Sequence, residues 1–276
     1  MQADCLRSSV FGYLAHPVNA RPKSLPAILT LPGAGVRDSD VGQAICWANE
    51  GMLALDINVH GLPNGMPEEY YANLREGELK DYPFKGCASR DNSYFLGMYL
   101  RLIRSIDSLA SHPLWDGKTL VVYGASQGGL LAIVAAGLDE RVSLVVAGVP
   151  AMCDPTGFIA GRMDGAFFVV SRSLTPDGSL KPDIMNVSRY FAAANFAARA
   201  KVPAQFTVGF IDHSCPPSLV YSAYNMIQAP KQIHNGPTSG HALTTDSRAI
   251  MRNAVLRHRS RLEGPHKDAL NSENSK

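Results

Sequence analysis

Residues 119–129 read TLVVYGASQGG, in which an uninterrupted apolar run leads straight into a glycine-rich turn around Ser126. The run at 119–123 does not alternate with polar residues, which predicts a central parallel strand covered on both faces. Residues 130–138 are apolar and mostly small, and they predict a helix after the turn. A Gly-x-Ser-x-Gly turn between a strand and a helix is typical of a nucleophile elbow, which holds a serine Oγ above the edge of a sheet.

Glycine-rich turns between a strand and a helix also bind nucleotide phosphates, so this turn has a second interpretation. The sequence has neither the Gly-x-Gly-x-x-Gly pattern nor a Walker lysine at this place. We therefore interpret Ser126 as a nucleophile and predict an α/β-hydrolase fold, with a mostly parallel central sheet and helices on both faces.

The order of strand-like and helix-like segments supports that fold class. Further strands are predicted at residues 26–31, 52–57, 144–149, 205–210 and 231–234, and helices at 41–50, 95–109, 218–227 and about 242–262. We expect residues 62–90, rich in Gly, Pro and charge, to form a long surface excursion. At about 151–200 we expect a helical and loop insertion over the carboxyl edge of the sheet. The predicted single domain spans residues 1–276, and its polar tail at about 264–276 is expected to be disordered.

A nucleophilic serine needs a base, which in this fold follows both the serine and an acid along the chain. Five histidines follow the serine: His213, His234, His241, His258 and His266. His241 comes between the last predicted strand and the closing helix, in a loop from which its ring can reach the sheet edge. We therefore predict that His241 is the general base. The others lie beside the predicted acid, within a strand, or in the closing helix and the tail.

The predicted acid is Asp212, which comes directly after the strand at 205–210 and before His241. Three other acids suit the role less well, because two lie in the insertion and one follows the histidine: Asp177, Asp183 and Asp246. We predict that Asp212 orients the histidine ring, as the third member of such a triad does.

Acyl transfer also needs hydrogen-bond donors for the oxyanion. One predicted donor is the backbone N–H of Gln127, directly after the nucleophile. The second is expected from the loop after the first central strand, where the N–H of Ala34 is favoured and that of Gly35 is the alternative. A site of this kind works without a metal ion or a cofactor, and we predict neither.

Composition and charge narrow the class of partner. The 276 residues carry 26 Lys+Arg and 24 Asp+Glu, a formal charge of +2, so we expect no nucleic-acid partner. No apolar run approaches about 20 residues, so we expect no membrane span. The five cysteines are widely spaced and form no Cys-x-x-Cys pair, which argues against a zinc site and a disulfide framework.

The N-terminus begins Met-Gln-Ala-Asp and has neither the basic start nor the apolar core of a signal peptide. As it stands, the chain is expected to be cytoplasmic. Because it begins abruptly, close to the first predicted strand, a second hypothesis is that it is a piece of a longer, exported parent.

Several stretches of the chain are shared with a known family. They read SRDN at 89–92, GASQGG at 124–129, GFIDHSCPP at 209–217, AYN at 223–225 and PK at 230–231. Over roughly residues 12–258 the chain resembles the acetyl xylan esterase / cephalosporin C deacetylase family, carbohydrate esterase family 7. The resemblance implies a triad of Ser126, Asp212 and His241, oxyanion donors at Ala34 and Gln127, and assembly as a homo-oligomer.

Two positions depart from the family pattern. The family usually has Arg-Gly-Gln after the second central strand, where this chain has His60-Gly61-Leu62, and it usually has His-Glu where this chain has His241-Ala242. The family's arginine supports the catalytic loop. We therefore expect His60 to be a supporting residue rather than a chemical one.

The leading hypothesis is a serine esterase that releases acetate from acetylated xylan, xylo-oligosaccharides or similar small acetyl esters. A broad carboxylesterase and a prolyl-oligopeptidase-like peptidase are alternatives, because the same elbow serves both. A binding protein of the same fold without catalysis is a third hypothesis, which the full set of Ser, Asp and His disfavours.

Overall fold

The computed structural model describes residues 9–167 and 169–263, and its centre is a seven-stranded sheet. The strands are β1 (Phe11–Ala15), β2 (Leu25–Leu31), β3 (Leu53–Asn58), β4 (Trp115–Ala125), β5 (Leu144–Gly148), β6 (Ala204–Gly209) and β7 (Lys231–Gly236). Their order across the sheet is β1-β3-β2-β4-β5-β6-β7, and every neighbouring pair is parallel except β1 with β3. The predicted, mostly parallel sheet is confirmed.

Helices cover both faces of this sheet. Within the described residues they are α1 (Val41–Asn49), α2 (Glu68–Glu76), α3 (Tyr94–Ser111), α4 (Gln127–Leu138), α5 (Pro182–Tyr190), α6 (Ala193–Ala197), α7 (Pro217–Met226) and α8 (Thr245–Glu263). The core on one face includes α3, α4 and α7, and the core on the other face includes α1 and α8. Among the described residues, no helix combines the length and the apolarity needed to cross a membrane.

Strand β4 is apolar without alternation because both of its faces are covered. Leu120 and Val122 belong to the core that contains α3 and α4, whereas Val121 packs in the core that contains Trp47 and Met251. Since successive side chains of a strand point to opposite faces, a strand between two helical layers needs apolar residues at every position.

Strands β2 and β4 are neighbours although β3 lies between them in the chain. After β2 the chain moves to one side for β3, and it then returns to the other side of β2 for β4. The loops that leave the carboxyl ends of β2 and β4 therefore diverge. A crevice for ligands forms at such a switch point in open α/β sheets.

Two parts of the N-terminal third differ from the sequence-based expectation. Strand β1 is not predicted from the sequence; it is five residues long, partly exposed, and pairs with β3 at the edge of the described sheet. The expectation that residues 62–90 form a surface excursion is wrong in part, because they contain α2 and a short 3-10 turn, Tyr82–Phe84. Tyr71 and Tyr82 of this segment are only 1% and 7% exposed. Because the segment is rich in Gly, Pro and charged residues, its composition gives no sign that these two single tyrosines are buried.

Residues 149–203 connect β5 to β6 and include the stretch expected to be an insertion. They contain α5, α6 and two 3-10 turns, Gly157–Ala160 and Ser171–Ser173. Helix α6 packs closely on α4, since a Cβ on Gly137 would lie 2.6 Å from the carbonyl oxygen of Phe196. The segment also meets the loop after β6, where the N–H of Ala166 donates to the carbonyl of Ser214 at 2.5 Å. The tail predicted at 264–276 lies outside the described residues.

Candidate active site

Ser126 occupies the turn between β4 and α4. Its φ of 57° is rare for a residue with a side chain and is typical of strained functional turns. The turn is so tight that a Cβ on Gly124 would lie 2.5 Å from the carbonyl carbon of Gly128. A Cβ on Gly128 would lie 2.1 Å from the carbonyl oxygen of Leu31. Both positions therefore require glycine, as the predicted elbow does.

Hydrogen bonds fix the peptide that joins Ser126 to Gln127. The carbonyl oxygen of Ser126 accepts the N–H groups of Leu130 and Ala151, each at 3.0 Å. The N–H of Gln127 belongs to the same trans peptide, so it points in the opposite direction. Within the described residues it donates to no protein acceptor, which leaves it available to an oxyanion.

His241, in the loop after β7, connects the serine to the acid. Its Nε2 lies 3.0 Å from Oγ of Ser126, and its Nδ1 lies 2.9 Å from Oδ2 of Asp212. Because a carboxylate only accepts, Nδ1 carries the hydrogen, and Nε2 accepts the hydrogen of the serine hydroxyl. The structure thus brings the three predicted residues together in the arrangement of a Ser-His-Asp triad.

Asp212 lies in the turn after β6 and is 2% exposed. Burial alone would raise its pKa, but hydrogen bonds from His241 and from the backbone N–H groups of Cys215 and Ser214 hold the pKa below its usual value. Both backbone groups donate to Oδ1 at 2.8 Å, which leaves Oδ2 for the histidine. An ionised and fixed carboxylate orients the imidazole and stabilises the imidazolium that forms when the proton arrives.

The loop after β2 lies beside the nucleophile, since a Cβ on Gly33 would be 4.0 Å from Cβ of Ser126. The guanidinium of Arg37 donates to the carbonyl oxygens of Gly33 at 3.2 Å and Ala34 at 2.8 Å. The N–H of Ala34 shares a peptide with the Gly33 carbonyl, so it points away from Arg37. In the part of the chain that the structure describes, this N–H has no protein acceptor. The roles of Ala34 and Gln127 as oxyanion donors stay predictions.

Asp56 secures the other end of the same loop. This β3 carboxylate accepts the hydroxyl of Thr30 at 2.6 Å and the N–H of Asp40 at 2.7 Å. Burial raises the Asp56 pKa to about 6 in spite of these hydrogen bonds. The Asp40 side chain in turn caps α1 by accepting the N–H of Gln43 at 3.1 Å. Asp56 is not among the residues predicted from the sequence, although a carboxylate within an otherwise apolar strand is a usable signal of such a role.

His60 lies behind the loop rather than at the triad. Its Nε2 is 3.2 Å from the carbonyl oxygen of Gly35, and its Nδ1 is 2.8 Å from the hydroxyl of Tyr94. Because a carbonyl only accepts, Nε2 carries the hydrogen and Nδ1 accepts from the tyrosine. Burial lowers the His60 pKa to about 4, so the ring is neutral at neutral pH. These contacts fit the predicted supporting role.

A narrow pocket opens beside the triad, on the side of residues 149–203. Its lining includes two buried thiols and apolar side chains: Met152, Cys153, Phe167, Val169, Cys215 and Leu219. The space open to the centre of a water-sized sphere is about 20 Å³, roughly enough for one or two waters. Burial raises the pKa of the Cys215 thiol, and its Sγ lies within 4.8 Å of ligand atoms of Asp212 and His241. The pocket therefore borders the triad.

One group of side chains invites comparison with a metal site. The ligand atoms of Asp212, Cys215 and His241 lie within 4.8 Å of one another. In a zinc site such atoms point at a common centre, and a cysteine ligand is a thiolate. Here Nδ1 of His241 donates directly to Asp212, and the raised pKa keeps the thiol protonated. The geometry fits the hydrogen-bonded triad better than a metal ion.

The elbow, the triad and the parallel sheet define a serine hydrolase of the α/β-hydrolase class. A sequence model described as acetyl xylan esterase (AXE1) matches residues 5–256. The chain therefore belongs to the acetyl xylan esterase family, a family of carboxylic ester hydrolases, and the resemblance found in the sequence is confirmed.

Individual relatives agree with this assignment. The acetyl esterase Axe7A of Xylanibacter ruminicola is 35% identical over 246 residues, which make up 87% of this chain and 54% of the relative. The chain thus spans about half the length of that protein. An acetyl xylan esterase structure from Paenibacillus sp. R4 has a TM-score of 0.78 at 26% identity, covering 90% of this chain and 79% of that one. The fold is also that of acetyl xylan esterase 1 from Thermoanaerobacterium sp. JW/SL YS485, with a TM-score of 0.72, 21% identity and coverages of 91% and 80%.

Proposed function

We propose that this chain is a serine O-acetyl esterase that releases acetate from acetylated xylan, xylo-oligosaccharides or similar small acetyl esters. The observation that carries the proposal is the pair of hydrogen bonds that join Ser126 to His241 at 3.0 Å and His241 to Asp212 at 2.9 Å. Membership of the acetyl xylan esterase family supports an acetylated carbohydrate as the substrate class.

In the proposed first step, His241 Nε2 takes the proton of Ser126 while Oγ bonds to the acetyl carbonyl carbon. The carbonyl oxygen becomes an oxyanion, which the N–H groups of Ala34 and Gln127 stabilise. The tetrahedral intermediate then expels the sugar oxygen, which takes the proton from His241 and leaves as an alcohol. The acetyl group remains as an ester of Ser126.

In the second step a water molecule replaces the sugar. His241 takes one proton from the water while the water oxygen bonds to the acetyl carbon. The same two N–H groups bind the second oxyanion. Ser126 leaves with that proton, and the acetyl group departs as acetic acid, which loses its remaining proton to water and becomes acetate. Asp212 stays ionised throughout and compensates the positive charge that His241 carries in both steps.

The narrow pocket beside the triad supports a short acyl group. The space open to the centre of a water-sized sphere is only about 20 Å³, so each methylene beyond acetyl would have to displace packed side chains at a cost of roughly 1–3 kcal/mol. Pro216 and Pro217 follow Cys215 directly, and because proline fixes φ, the wall at this turn is stiff. The proposal therefore includes a preference for acetate over longer acyl chains.

The test measures acetate release from acetylated xylo-oligosaccharides beside hydrolysis of a peptide panel and of p-nitrophenyl esters from acetate to octanoate. We expect acetate release, kcat/KM that falls from acetate to butyrate and is very low at octanoate, and no peptide cleavage. Equal or rising activity toward octanoate would favour the broad carboxylesterase. Peptide cleavage would favour the peptidase hypothesis. Inactivity on every substrate would favour the hypothesis of a non-catalytic binding protein.

We also propose that the chain self-associates through the edge of its sheet. The edge strand β1 and the neighbouring α1 expose four large apolar side chains, each 39–49% accessible: Phe11, Leu14, Val41 and Ile45. A strand edge with an apolar surface is a template for pairing with a second copy. Light scattering at micromolar concentrations should give an oligomeric mass that Leu14→Asp reduces. Val18→Asp is the matched control, because Val18 is 94% exposed outside β1 and α1. A monomeric wild-type protein would refute this second proposal.

A further inference from the structure

Three aromatic side chains pack together behind the active site. The ring centroids of Tyr82 and His60 are 4.9 Å apart and nearly perpendicular, and those of Tyr82 and Tyr94 are 5.2 Å apart. Tyr82 is 7% exposed and His60 is 5% exposed. We call this group, Tyr82, His60 and Tyr94, the aromatic brace. Side chains packed in this way are restricted to few rotamers, so the brace can hold what it contacts.

On one side the brace holds the loop that carries Ala34. His60 donates to the carbonyl oxygen of Gly35 at 3.2 Å, and Tyr94 donates to His60 at 2.8 Å, which orients the ring. Tyr82 reaches the same loop through His60, because their two rings pack against each other. Gly35 is thus held at its carbonyl oxygen.

On the other side the brace holds Gln127. The Tyr82 hydroxyl donates to Oε1 of Gln127 at 2.5 Å. Gln127 is fully buried, and its Nε2 has no partner among the described residues. The bond from Tyr82 is therefore the only hydrogen bond that anchors this side chain within the described part of the chain. The residue anchored in this way also supplies the predicted N–H donor next to the nucleophile.

We propose that Tyr82 is a positioning residue of the oxyanion site, because it joins the residue of one N–H donor, Gln127, to the loop of the other, Ala34. The inference rests on the proposed esterase function and adds a residue outside the triad and the oxyanion donors. Oxyanion stabilisation depends on donors that are already in place when the charge develops. A link between the two donor segments keeps their spacing constant between ground state and transition state. Tyr82 itself does not contact the substrate in this scheme.

The direct test is Tyr82→Phe, which removes one oxygen atom and keeps the ring. We expect kcat for p-nitrophenyl acetate to fall about tenfold, which is about the effect of one lost hydrogen bond to a buried group. KM should stay within about twofold, because the donors bind the transition state more tightly than the ground state. Affinity for phenylboronic acid, which forms a tetrahedral adduct with the serine, should weaken by about the same factor as kcat.

Tyr99→Phe is the matched control. Tyr99 is also buried, at 5% exposure, and its hydroxyl also makes one bond, to the carbonyl oxygen of Phe191 at 2.8 Å. This variant should lose thermal stability but keep kcat and boronic acid affinity. In a double-mutant cycle with Gln127→Met, Tyr82→Phe should cost little more once Gln127 is changed, since Tyr82 acts through that side chain.

The outcomes separate this inference from the proposed function. An inactive wild-type protein would refute the esterase itself. An active wild-type protein with Tyr82→Phe at unchanged kcat, or with a raised KM and unchanged kcat, would refute only the positioning role. Additive losses of activity in the double-mutant cycle would refute the proposal that Tyr82 acts through the Gln127 side chain. If Tyr82→Phe lowers thermal stability as much as Tyr99→Phe while only Tyr82→Phe weakens phenylboronic acid, the positioning role is supported.

Discussion

The elbow at residues 119–130 and the segment at 59–94 both contact the proposed oxyanion site, but they do so through different kinds of contact. In the elbow the decisive constraint is local: Gly124 and Gly128 are four positions apart and nearly touch. In the other segment the decisive contacts are distant, since Tyr82 and Gln127 are 45 positions apart and His60 and Gly35 are 25 apart. A nucleophile that depends on a strained turn can be predicted from a few consecutive residues. Residues that support it from a distant part of the chain cannot be predicted in this way.

The largest effects should come from the triad, which depends on the elbow. Ser126→Ala should reduce kcat by a factor of roughly 10⁴ or more, and His241→Ala should be about as damaging, because triad members act as a unit. Hydrolysis of p-nitrophenyl acetate measures both. His213→Ala is the control, since His213 is exposed and adjoins Asp212 in the sequence. If His213→Ala abolished turnover and His241→Ala did not, the assignment of the base would be wrong.

The next largest effect should come from the local packing of the elbow. In Gly128→Ala the new methyl group would lie 2.1 Å from the carbonyl oxygen of Leu31, so α4 would have to move away from the end of β2. We expect a loss of stability of about 3 kcal/mol, together with a fall in kcat of roughly a hundredfold, as a misplacement of about 1 Å can cause.

Gly33→Ala is the matched control for that variant. Gly33 is in the loop next to the elbow, but the atom nearest to its added Cβ is 3.6 Å away, an ordinary contact distance. Thermal unfolding should therefore show Gly33→Ala close to wild type and Gly128→Ala well below it. Equal melting temperatures for the two variants would mean that close packing does not explain the glycine at 128.

This difference between local and distant contacts also explains what the sequence can predict. The strand at 119–123, the helix after it and the chain order of Ser126, Asp212 and His241 follow from periodicity and from spacing along the chain. The partial burial of residues 62–90 does not, because single tyrosines in a polar stretch carry no periodic signal. Strand β1 is too short and too exposed to show alternation. Tyr82 lies next to no motif, so its bond to Gln127 is known only from the structure.

A smaller effect is expected from His60, which belongs to the segment at 59–94 and contacts the loop after β2. His60→Ala would leave the Gly35 carbonyl and the Tyr94 hydroxyl without their partner and open a small cavity. We expect kcat to fall about tenfold and the free energy of unfolding to fall by about 2 kcal/mol. His258→Ala is the control, because His258 is not part of the triad and its Nε2 forms a hydrogen bond of 3.0 Å with Oγ of Ser143. A loss of activity as large as that of Ser126→Ala, with the fold intact by circular dichroism, would show that His60 takes part in the chemistry.

The smallest effect on activity at neutral pH comes from the titration of His60, which changes the free energy of unfolding only in acid. Burial lowers the His60 pKa to about 4, from 6.5 for an unburied histidine. Between these values the unfolded chain binds more protons than the native protein, so the free energy of unfolding falls as the pH drops from about 6.5 to about 4. The full contribution of His60 is about 3 kcal/mol at most. Asp56 opposes it, because a pKa raised to about 6 makes the native state bind more protons over much of the same range.

A comparison of wild type with His60→Gln separates the two groups, because glutamine can still donate to the Gly35 carbonyl but does not titrate. Urea unfolding at pH 7, 6, 5 and 4 gives the difference in stability between the two proteins, in which the contribution of Asp56 cancels. We expect the advantage of wild type to shrink steadily below about pH 6.5, by up to about 3 kcal/mol at pH 4. A difference that does not change with pH would mean that His60 titrates as it does in the unfolded chain. The description of His60 as a neutral, buried ring that supports Gly35 would then be wrong.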